Sequence, residues 1–308
     1  MVMTEKYDDL FDNVIPNAIG GIKIFSKDSE YLIEQNYDSI TSREHRLWGQ
    51  LYSYVIDALN RYAAREYIEG LDALKIPSNQ FPNFGELSEK IYPSSGWVLT
   101  PVAGFLNEEL FFTLTAQRQF PVTDIIRQSK RFEEKYAGKN IKNEEGYTPE
   151  PDIFHDVMGH SPLLINKEYA DLWQKMGEVG LELIRNERGL GDDLVAHNLK
   201  RLQNFAWWTY EFGIMEKSDF QSDKKNDDEM NHVIYGSGIL SSYDEIMNVV
   251  ACSKGGSSFS KIIPFDMEKV VLTRFDYSDI QDRYFSIKSL KELFIEFEND
   301  KELFFFEG

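Results

Sequence analysis

The sequence predicts a mainly α-helical protein with a small β contribution, folded as a single domain. Apolar residues recur at helical spacing over several long stretches, whereas β-branched residues cluster in only two short stretches near the C-terminus. No Pro- or Ser-rich linker and no internal repeat divides the 308 residues. The 42% hydrophobic and 14% aromatic content supplies the side chains that a core of this size requires.

The N-terminal part of the chain contains two contrasting patterns. Residues 1–40 mix short apolar pieces with Asn, Asp and Gly, which predicts an irregular extension before a domain over 41–308. From Thr41 the pattern changes, because Thr41 and Glu44 can form a capping box and apolar residues then recur every three or four positions to Tyr62. We therefore expect a long amphipathic helix here.

The middle of the chain alternates breaks with helical stripes. Prolines with several Gly and Ser predict turns or short extended pieces over 76–101, and helical character returns over 108–118. The charged string over 128–145 predicts an exposed insertion, which could also act as a lid. Two further stripes, over 169–184 and 199–215, each predict a long helix.

The last third of the chain carries the predicted β contribution. The polar stretch 218–231 predicts a loop, while 262–275 and 284–287 have the apolar and β-branched content of short strands. Residues 289–306 return to a helical pattern.

Charge and cysteine content exclude several classes of function. The formal net charge of −19 repels phosphate backbones and anionic lipid surfaces, so we expect no nucleic-acid and no membrane partner. The single cysteine, Cys252, excludes an internal disulfide and a thiolate zinc site, and it suits a reducing compartment. With no signal-like N-terminus and no bilayer-spanning apolar run, the sequence predicts a cytoplasmic protein that acts on small molecules.

The residues that suggest chemistry lie in the string YTPEPDIFHDVMGHSPLL (147–164). It places two of the five histidines, His155 and His160, five positions apart. Side chains at this spacing diverge by about 140° on an α-helix, so both can meet one metal only if the helix loosens near the second. Gly159 and Pro162 are suited to ending the helix there.

A third ligand is expected from a remote carboxylate. Glu211 lies in the aromatic string FAWWTYEFG (205–213), where an unpaired carboxylate is costly unless a metal offsets the cost. Two His and one carboxylate leave positions open for water, dioxygen and a cosubstrate, an arrangement associated with non-haem iron(II) oxygenases. From the residues alone, a zinc hydrolase with Asp156 or Glu211 as general base stays open.

Four strings together resemble the signature stretches of the tetrahydropterin-dependent aromatic amino acid hydroxylases, in the family's order. They are PVAGFL (101–106), YTPEPDIFHDVMGHSPLL (147–164), WWTYEFGI (207–214) and YGSGILSS (235–242). The resemblance covers about residues 40–300 and is greatest to the bacterial members that act on phenylalanine.

It implies a single hydroxylase-like catalytic domain with iron in a cleft between helices. It also implies an enzyme that uses Fe(II), a tetrahydropterin and dioxygen to hydroxylate the ring of a free aromatic amino acid, chiefly phenylalanine to tyrosine. The alternatives are the same chemistry on tryptophan or tyrosine or at another ring position, and a metal-binding protein of this fold with little activity. Because the chain has no room for the regulatory domain and tetramerising helix of eukaryotic members, a monomer, or at most a weak dimer, is expected.

The resemblance assigns roles to individual residues. His155, His160 and Glu211 match the family's iron ligands. The implied pterin site consists of Gly104, Phe105, Leu106, Phe111 and Asp156. The implied substrate site consists of Arg127, Tyr147, Thr148, Pro151, Trp207, Phe212, Gly238, Ser241 and Tyr277, with Arg127 binding the substrate carboxylate and Ser241 also supporting His155.

Several positions depart from the family's pattern. Asp156 stands where the family often has Glu, and Ala206 stands where many members have tyrosine. Gln203 replaces a small residue, and Tyr277 occupies a pocket position that is usually a smaller aliphatic residue. A bulky Tyr277 could shift the preference among phenylalanine, tyrosine and tryptophan.

Overall fold

The structure is a computed structural model that describes residues 34–102, 106–123, 125–127, 152–217, 230–256, 259–276 and 280–308. Within these residues helices predominate, as predicted. They are α1 (Ser42–Tyr62), α2 (Arg65–Leu74), α3 (Phe84–Ser95), α4 (Glu108–Ala116), α5 (Lys167–Ile184), α6 (Asp192–Ala206), α7 (Ser237–Leu240), α8 (Tyr243–Ser253), α9 (Met267–Leu272) and α10 (Leu290–Asp300). The predicted insertion over 128–145, most of the loop over 218–231 and most of the extension over 1–40 lie outside the described residues.

The strands form two small sheets. They are β1 (Val98–Val102), β2 (Gln119–Thr123), β3 (Gly213–Glu216), β4 (His232–Ile234), β5 (Lys261–Pro264) and β6 (Arg283–Ile287). β1 and β2 pair in parallel, and the second sheet has the order β4-β3-β6-β5, with only the β3–β4 pair antiparallel. None of the helices described combines the length and apolar character that crossing a bilayer requires.

α1 begins as the sequence predicts. The Thr41 hydroxyl accepts the N–H of Glu44 at 3.3 Å, and the Glu44 carboxylate accepts the N–H of Thr41 at 2.8 Å. This reciprocal capping box satisfies two of the donors that a helix start leaves open. The apolar stripe of α1, including Trp48 and Leu59, is buried in the core.

The segment 76–101 differs from its prediction, since Phe84–Ser95 within it forms helix α3 before the short strand β1. The side chain of Asn83 accepts the N–H of Glu86 at 3.0 Å, which caps the start of the helix. Pro93 lies in the last turn, where it interrupts few hydrogen bonds, and Gly96 ends the helix at φ 76°. Burial of apolar residues on α3 outweighs the helix-breaking composition.

Two other predictions merged separate elements. The stripe over 199–215 contains the end of α6, a π-helical turn (Trp207–Glu211) and strand β3. The stretch over 262–275 contains β5 and then helix α9. A short apolar run has no periodicity that distinguishes these states. β3 becomes a strand because β4 and β6, which come from later in the chain, pair with its two edges.

One large apolar core joins the helices to both sheets, and its largest fully buried side chains include Trp48, Trp97 and Trp208. α4 and α5 approach closely beside it. A Cβ on Gly180 of α5 would lie 2.4 Å from the ring of Phe112 on α4, so only glycine permits this packing. The α4–α5 pair thereby forms one wall of the candidate site.

Candidate metal centre

His155 and His160 lie on a single π-helical turn, His155–His160. Hydrogen bonds in such a turn span five residues, so side chains five positions apart face the same way. The two imidazole rings lie 5.0 Å apart between centroids. The helix therefore loosens, as the spacing requires, but it does not end at Gly159, because the chain continues into a 3-10 turn over Ser161–Ile165.

A second π turn, Trp207–Glu211, places the carboxylate at the end of α6. The N–H of Phe212 donates to the carbonyl of Trp207 at 2.8 Å, which closes this turn across five residues. Glu211 Oε2 then lies 3.3 Å from His155 Nε2, and Oε1 lies 3.1 Å from His160 Nε2. Two π turns from distant parts of the chain thus bring the three predicted ligands together.

Hydroxyl groups orient both imidazoles. His155 Nδ1 lies 3.0 Å from Ser241 Oγ, and His160 Nδ1 lies 3.1 Å from the Tyr169 hydroxyl. A histidine that binds metal through Nε2 carries its proton on Nδ1, where a hydroxyl oxygen can accept it. Ser241 in turn donates to the carbonyl of Ser237 at 2.8 Å. Each Nε2 is therefore directed at Glu211.

Burial and nearby charges shift the pKa values of the three predicted ligands in opposite directions. Burial raises the pKa of the Glu211 carboxyl, but His160 and His155 outweigh it and hold that pKa well below its usual value. Burial lowers the pKa of His155, yet Glu211 and two nearby aspartates raise it overall, whereas burial prevails at His160 and lowers its pKa. An ionised carboxylate between two imidazoles is the donor set that a divalent cation requires.

The spacing of the ligand atoms also fits a metal. Metal–ligand bonds of about 2.1 Å at right angles place neighbouring ligand atoms roughly 3 Å apart. The two Nε2–carboxylate distances are 3.1 and 3.3 Å. Within the described part of the chain, these three residues are the single group of three His, Cys, Asp or Glu side chains found close enough to share an ion. The set of two imidazoles and one carboxylate suits non-haem Fe(II).

Of the described residues of the implied pterin site, Leu106 and Phe111 lie at α4, and Asp156 lies beside β2. Leu106 is buried, and Phe111 packs edge-on against Trp173 with ring centroids 6.2 Å apart. The Trp173 ring in turn lies 5.5 Å from the ring of His160. The buried Asp156 carboxylate accepts the N–H of Thr123 at 2.9 Å. Burial raises the pKa of Asp156 to about 7. Gly104 and Phe105 lie outside the described residues.

An aromatic stack contains two residues of the implied substrate site, Trp207 and Phe212. The Trp207 indole stacks on Phe212 at 4.7 Å and on Phe275 at 4.1 Å, nearly parallel to the latter. A Cβ on Gly238 would lie 2.8 Å from the Phe212 ring, so glycine is required at that position. Four further residues of the implied substrate site lie outside the described residues: Tyr147, Thr148, Pro151 and Tyr277.

Gln281 holds the Trp207 indole. Its side-chain oxygen accepts the Trp207 Nε1–H at 3.0 Å, and its backbone N–H donates to Glu245 Oε1 at 3.0 Å. Glu245 is also bonded by the Tyr284 hydroxyl. A buried polar network therefore fixes one wall of the aromatic stack.

Arg127 forms a buried, bidentate ion pair that the sequence did not predict. Its Nε and Nη2 donate to the two oxygens of Asp152 at 2.9 and 2.8 Å, and its backbone N–H donates to the same carboxylate at 2.8 Å. Asp152 also caps the helix that carries His155, because it accepts the His155 N–H at 3.0 Å. Burial raises the pKa of Asp152, but Arg127 and these hydrogen bonds lower it overall.

Sequence patterns could have indicated some of the residues that were missed. Asp152 stands directly before a helix, where aspartate is a preferred cap. Ser237 lies four positions before Ser241 in YGSGILSS, the spacing at which two side chains share a helical face. Tyr169 and Gln281 carry no local signal, since remote contacts alone define their roles. Of the departures, Gln203 donates to Glu108 at 2.6 Å and links α6 to α4.

The sequence was compared with protein-family models and with known proteins. A family model described as biopterin-dependent aromatic amino acid hydroxylase matches residues 27–300. A phenylalanine-4-hydroxylase of Caulobacter vibrioides is 33% identical over 264 residues, which cover 86% of this chain and 76% of the relative.

Solved structures of phenylalanine hydroxylase from Chromobacterium violaceum are also similar. The structure with iron(III) and oxidised 7,8-dihydrobiopterin has a TM-score of 0.72 and 29% identity, covering 89% of this chain and 85% of that one. The structure with iron and phenylalanine has a TM-score of 0.71 and 28% identity, covering 94% and 90%.

Proposed function

Because this chain belongs to the biopterin-dependent aromatic amino acid hydroxylases, we propose that it hydroxylates the ring of free phenylalanine to give tyrosine, with Fe(II), a tetrahydropterin and dioxygen. The observation that carries the proposal is the joint placement of His155, His160 and Glu211 by two π turns, with each Nε2 about 3 Å from the carboxylate. The relatives named phenylalanine-4-hydroxylase support the choice of substrate.

His155, His160 and Glu211 would hold the iron, which supplies the centre where dioxygen is activated together with the reduced pterin. Ser241 and Tyr169 keep the two imidazoles in the tautomer that leaves Nε2 available to the metal. Two imidazoles and one carboxylate would hold the metal and would leave coordination positions for cosubstrates.

The amino acid is proposed to bind on the aromatic side of the centre. The stack of Trp207 and Phe212 offers an apolar, aromatic wall for its ring, and Gly238 packs closely against Phe212. Arg127 is proposed to bind the substrate carboxylate, with Asp152 fixing the plane of the guanidinium. Tyr147, Thr148, Pro151, Ser241 and Tyr277 complete the proposed substrate site.

The pterin is proposed to bind along the α4–α5 side, against Gly104, Phe105 and Leu106. Phe111 offers an aromatic face there, and Asp156 offers a buried carboxylate as a hydrogen-bond acceptor. The three proposed iron ligands meet without a second copy of the chain, and we propose that the enzyme acts as a monomer.

The test is anaerobic reconstitution with Fe(II), followed by oxygen, tetrahydrobiopterin and each aromatic amino acid in turn, with products resolved by mass spectrometry. Pterin-dependent tyrosine from phenylalanine is expected. His155→Ala and Glu211→Ala should abolish it, whereas His232→Ala should not, because His232 lies on β4 and bonds Ser253.

Preferred turnover of tryptophan or tyrosine would move the substrate assignment within the family. Turnover that needs zinc and no pterin would instead support the hydrolase. No pterin-dependent product with any amino acid would refute the proposed oxygenase activity.

A further inference from the structure

Ser237, the first residue of α7, lies fully buried against the proposed metal-binding carboxylate. Its hydroxyl lies 2.7 Å from Glu211 Oε2 and 3.0 Å from the carbonyl oxygen of Tyr210. Both neighbours are acceptors, and a serine hydroxyl has one proton to donate. The bond to the ionised carboxylate is the stronger of the two, because charge-assisted hydrogen bonds are about twice as strong as neutral ones.

The backbone fixes Ser237 in this place. A Cβ on Gly159, within the first π turn, would lie 2.8 Å from the Ser237 Cβ. A Cβ on Gly236 would lie 2.6 Å from the carbonyl oxygen of Glu211, at the second π turn. The two glycines therefore allow α7 to pack directly between the turns that carry the three ligands.

Ser237 and Ser241 lie one helical turn apart, and each bonds a different ligand. Ser241 bonds His155 Nδ1 at 3.0 Å, and Ser237 bonds Glu211 Oε2 at 2.7 Å. Ser241 also donates to the carbonyl of Ser237 at 2.8 Å. The relative position of one imidazole and the carboxylate is therefore set by a single short helix.

We propose that Ser237 is a positioning residue for the metal site, an inference that rests on the metal centre proposed above. By donating to Oε2, it fixes the rotation of the Glu211 carboxylate, whose two oxygens face His155 and His160. Removing a hydrogen bond to a metal ligand commonly weakens metal affinity by about 10–100-fold. Ser237 thus contributes to metal binding without touching the metal.

The test compares Ser237→Ala with Ser286→Ala. Ser286 is also a buried serine, but it lies on β6 and its hydroxyl has no hydrogen-bond partner. Metal affinity is measured by anaerobic titration with Fe(II) and with Co(II), whose visible absorption reports the coordination geometry. Ser237→Ala is expected to bind either metal roughly 10-fold more weakly or worse, with an altered Co(II) spectrum, while Ser286→Ala behaves as the unmodified protein does.

Affinity and a Co(II) spectrum in Ser237→Ala that match those of Ser286→Ala would overturn the inference and leave the metal centre intact. If the unmodified protein binds neither metal, the proposed centre itself fails. Should Ser237→Ala not fold, a crystal structure of the unmodified protein with Co(II) decides the question. Oε2 is expected within hydrogen-bonding distance of Ser237, and an Oε2 turned away from Ser237 would refute the role.

Discussion

Replacing Arg127 with methionine tests the energetic weight of the buried ion pair beside the proposed metal site. The Arg127 and Asp152 side chains are only 4% and 2% exposed. The substitution keeps a long apolar side chain but removes both guanidinium bonds to Asp152, leaving a buried carboxylate without its counter-charge. Breaking a buried pair in this way costs about 3–5 kcal/mol of folding free energy.

Urea unfolding at neutral pH, followed by circular dichroism, measures this change in the free energy of unfolding. In a thermal scan, the melting temperature is expected to decrease by on the order of 10 °C. The matched control is Arg65→Met, which breaks a pair whose side chains are 64% and 59% exposed. That change should alter the unfolding free energy by less than about 1 kcal/mol. A double variant, Arg127→Met with Asp152→Leu, should recover much of the loss because no charge stays buried.

The pH dependence of the folding stability provides a second test of the Arg127–Asp152 ion pair. The folded-state pKa of Asp152 lies below its ordinary value of 3.8, since Arg127 and the hydrogen bonds outweigh burial. The ionised carboxylate therefore stabilises the fold above that ordinary value, and the contribution is lost as the pH falls through the folded-state pKa. Removing Arg127 raises that pKa, so Arg127→Met should lose stability at a higher pH than the unmodified protein. An Arg127→Met loss no larger than that of Arg65→Met, with an unchanged acid limb, would refute the assigned role of the pair.

Three further outcomes are expected. Gly238→Ala should lower activity and cost about 1–3 kcal/mol of stability, because its Cβ would lie 2.8 Å from the Phe212 ring; Gly191→Ala, with nothing within 4 Å, should be tolerated in the same activity and urea assays. Gln281→Leu should raise the KM for the amino acid roughly fivefold with little change in kcat, since the Trp207 indole loses its acceptor; an unchanged KM would separate Gln281 from the pocket. Chelating the metal from the Fe(II)-bound protein should lower its melting temperature, because a ligand that binds only the folded state stabilises that state. A melting temperature that does not change on chelation would contradict a metal site in the folded protein.

Local patterns were sufficient for the main helices and for the proposed ligands. α1 follows from a capping box and a helical stripe within one stretch of sequence, and the helix over 169–184 follows from its stripe alone. His155, His160 and Glu211 were predicted because the histidine pair, the aromatic surround and the family's strings are all features of short segments.

The sequence by itself therefore determined the mainly helical class, the family and the proposed ligand set. Only the tertiary structure decided that α3 forms despite its prolines, that β3 follows Glu211 as a strand, and that two π turns aim the ligands at one point. It likewise decided that Asp152 pairs with Arg127 and that Ser237 bonds Glu211. The Asp152 and Ser237 contacts join groups 25 and 26 residues apart, and β3 pairs with strands from later in the chain. α3 is stabilised by burying its apolar residues, and the two π turns meet because α7 packs against both. Local propensity cannot specify contacts that form only when remote segments pack.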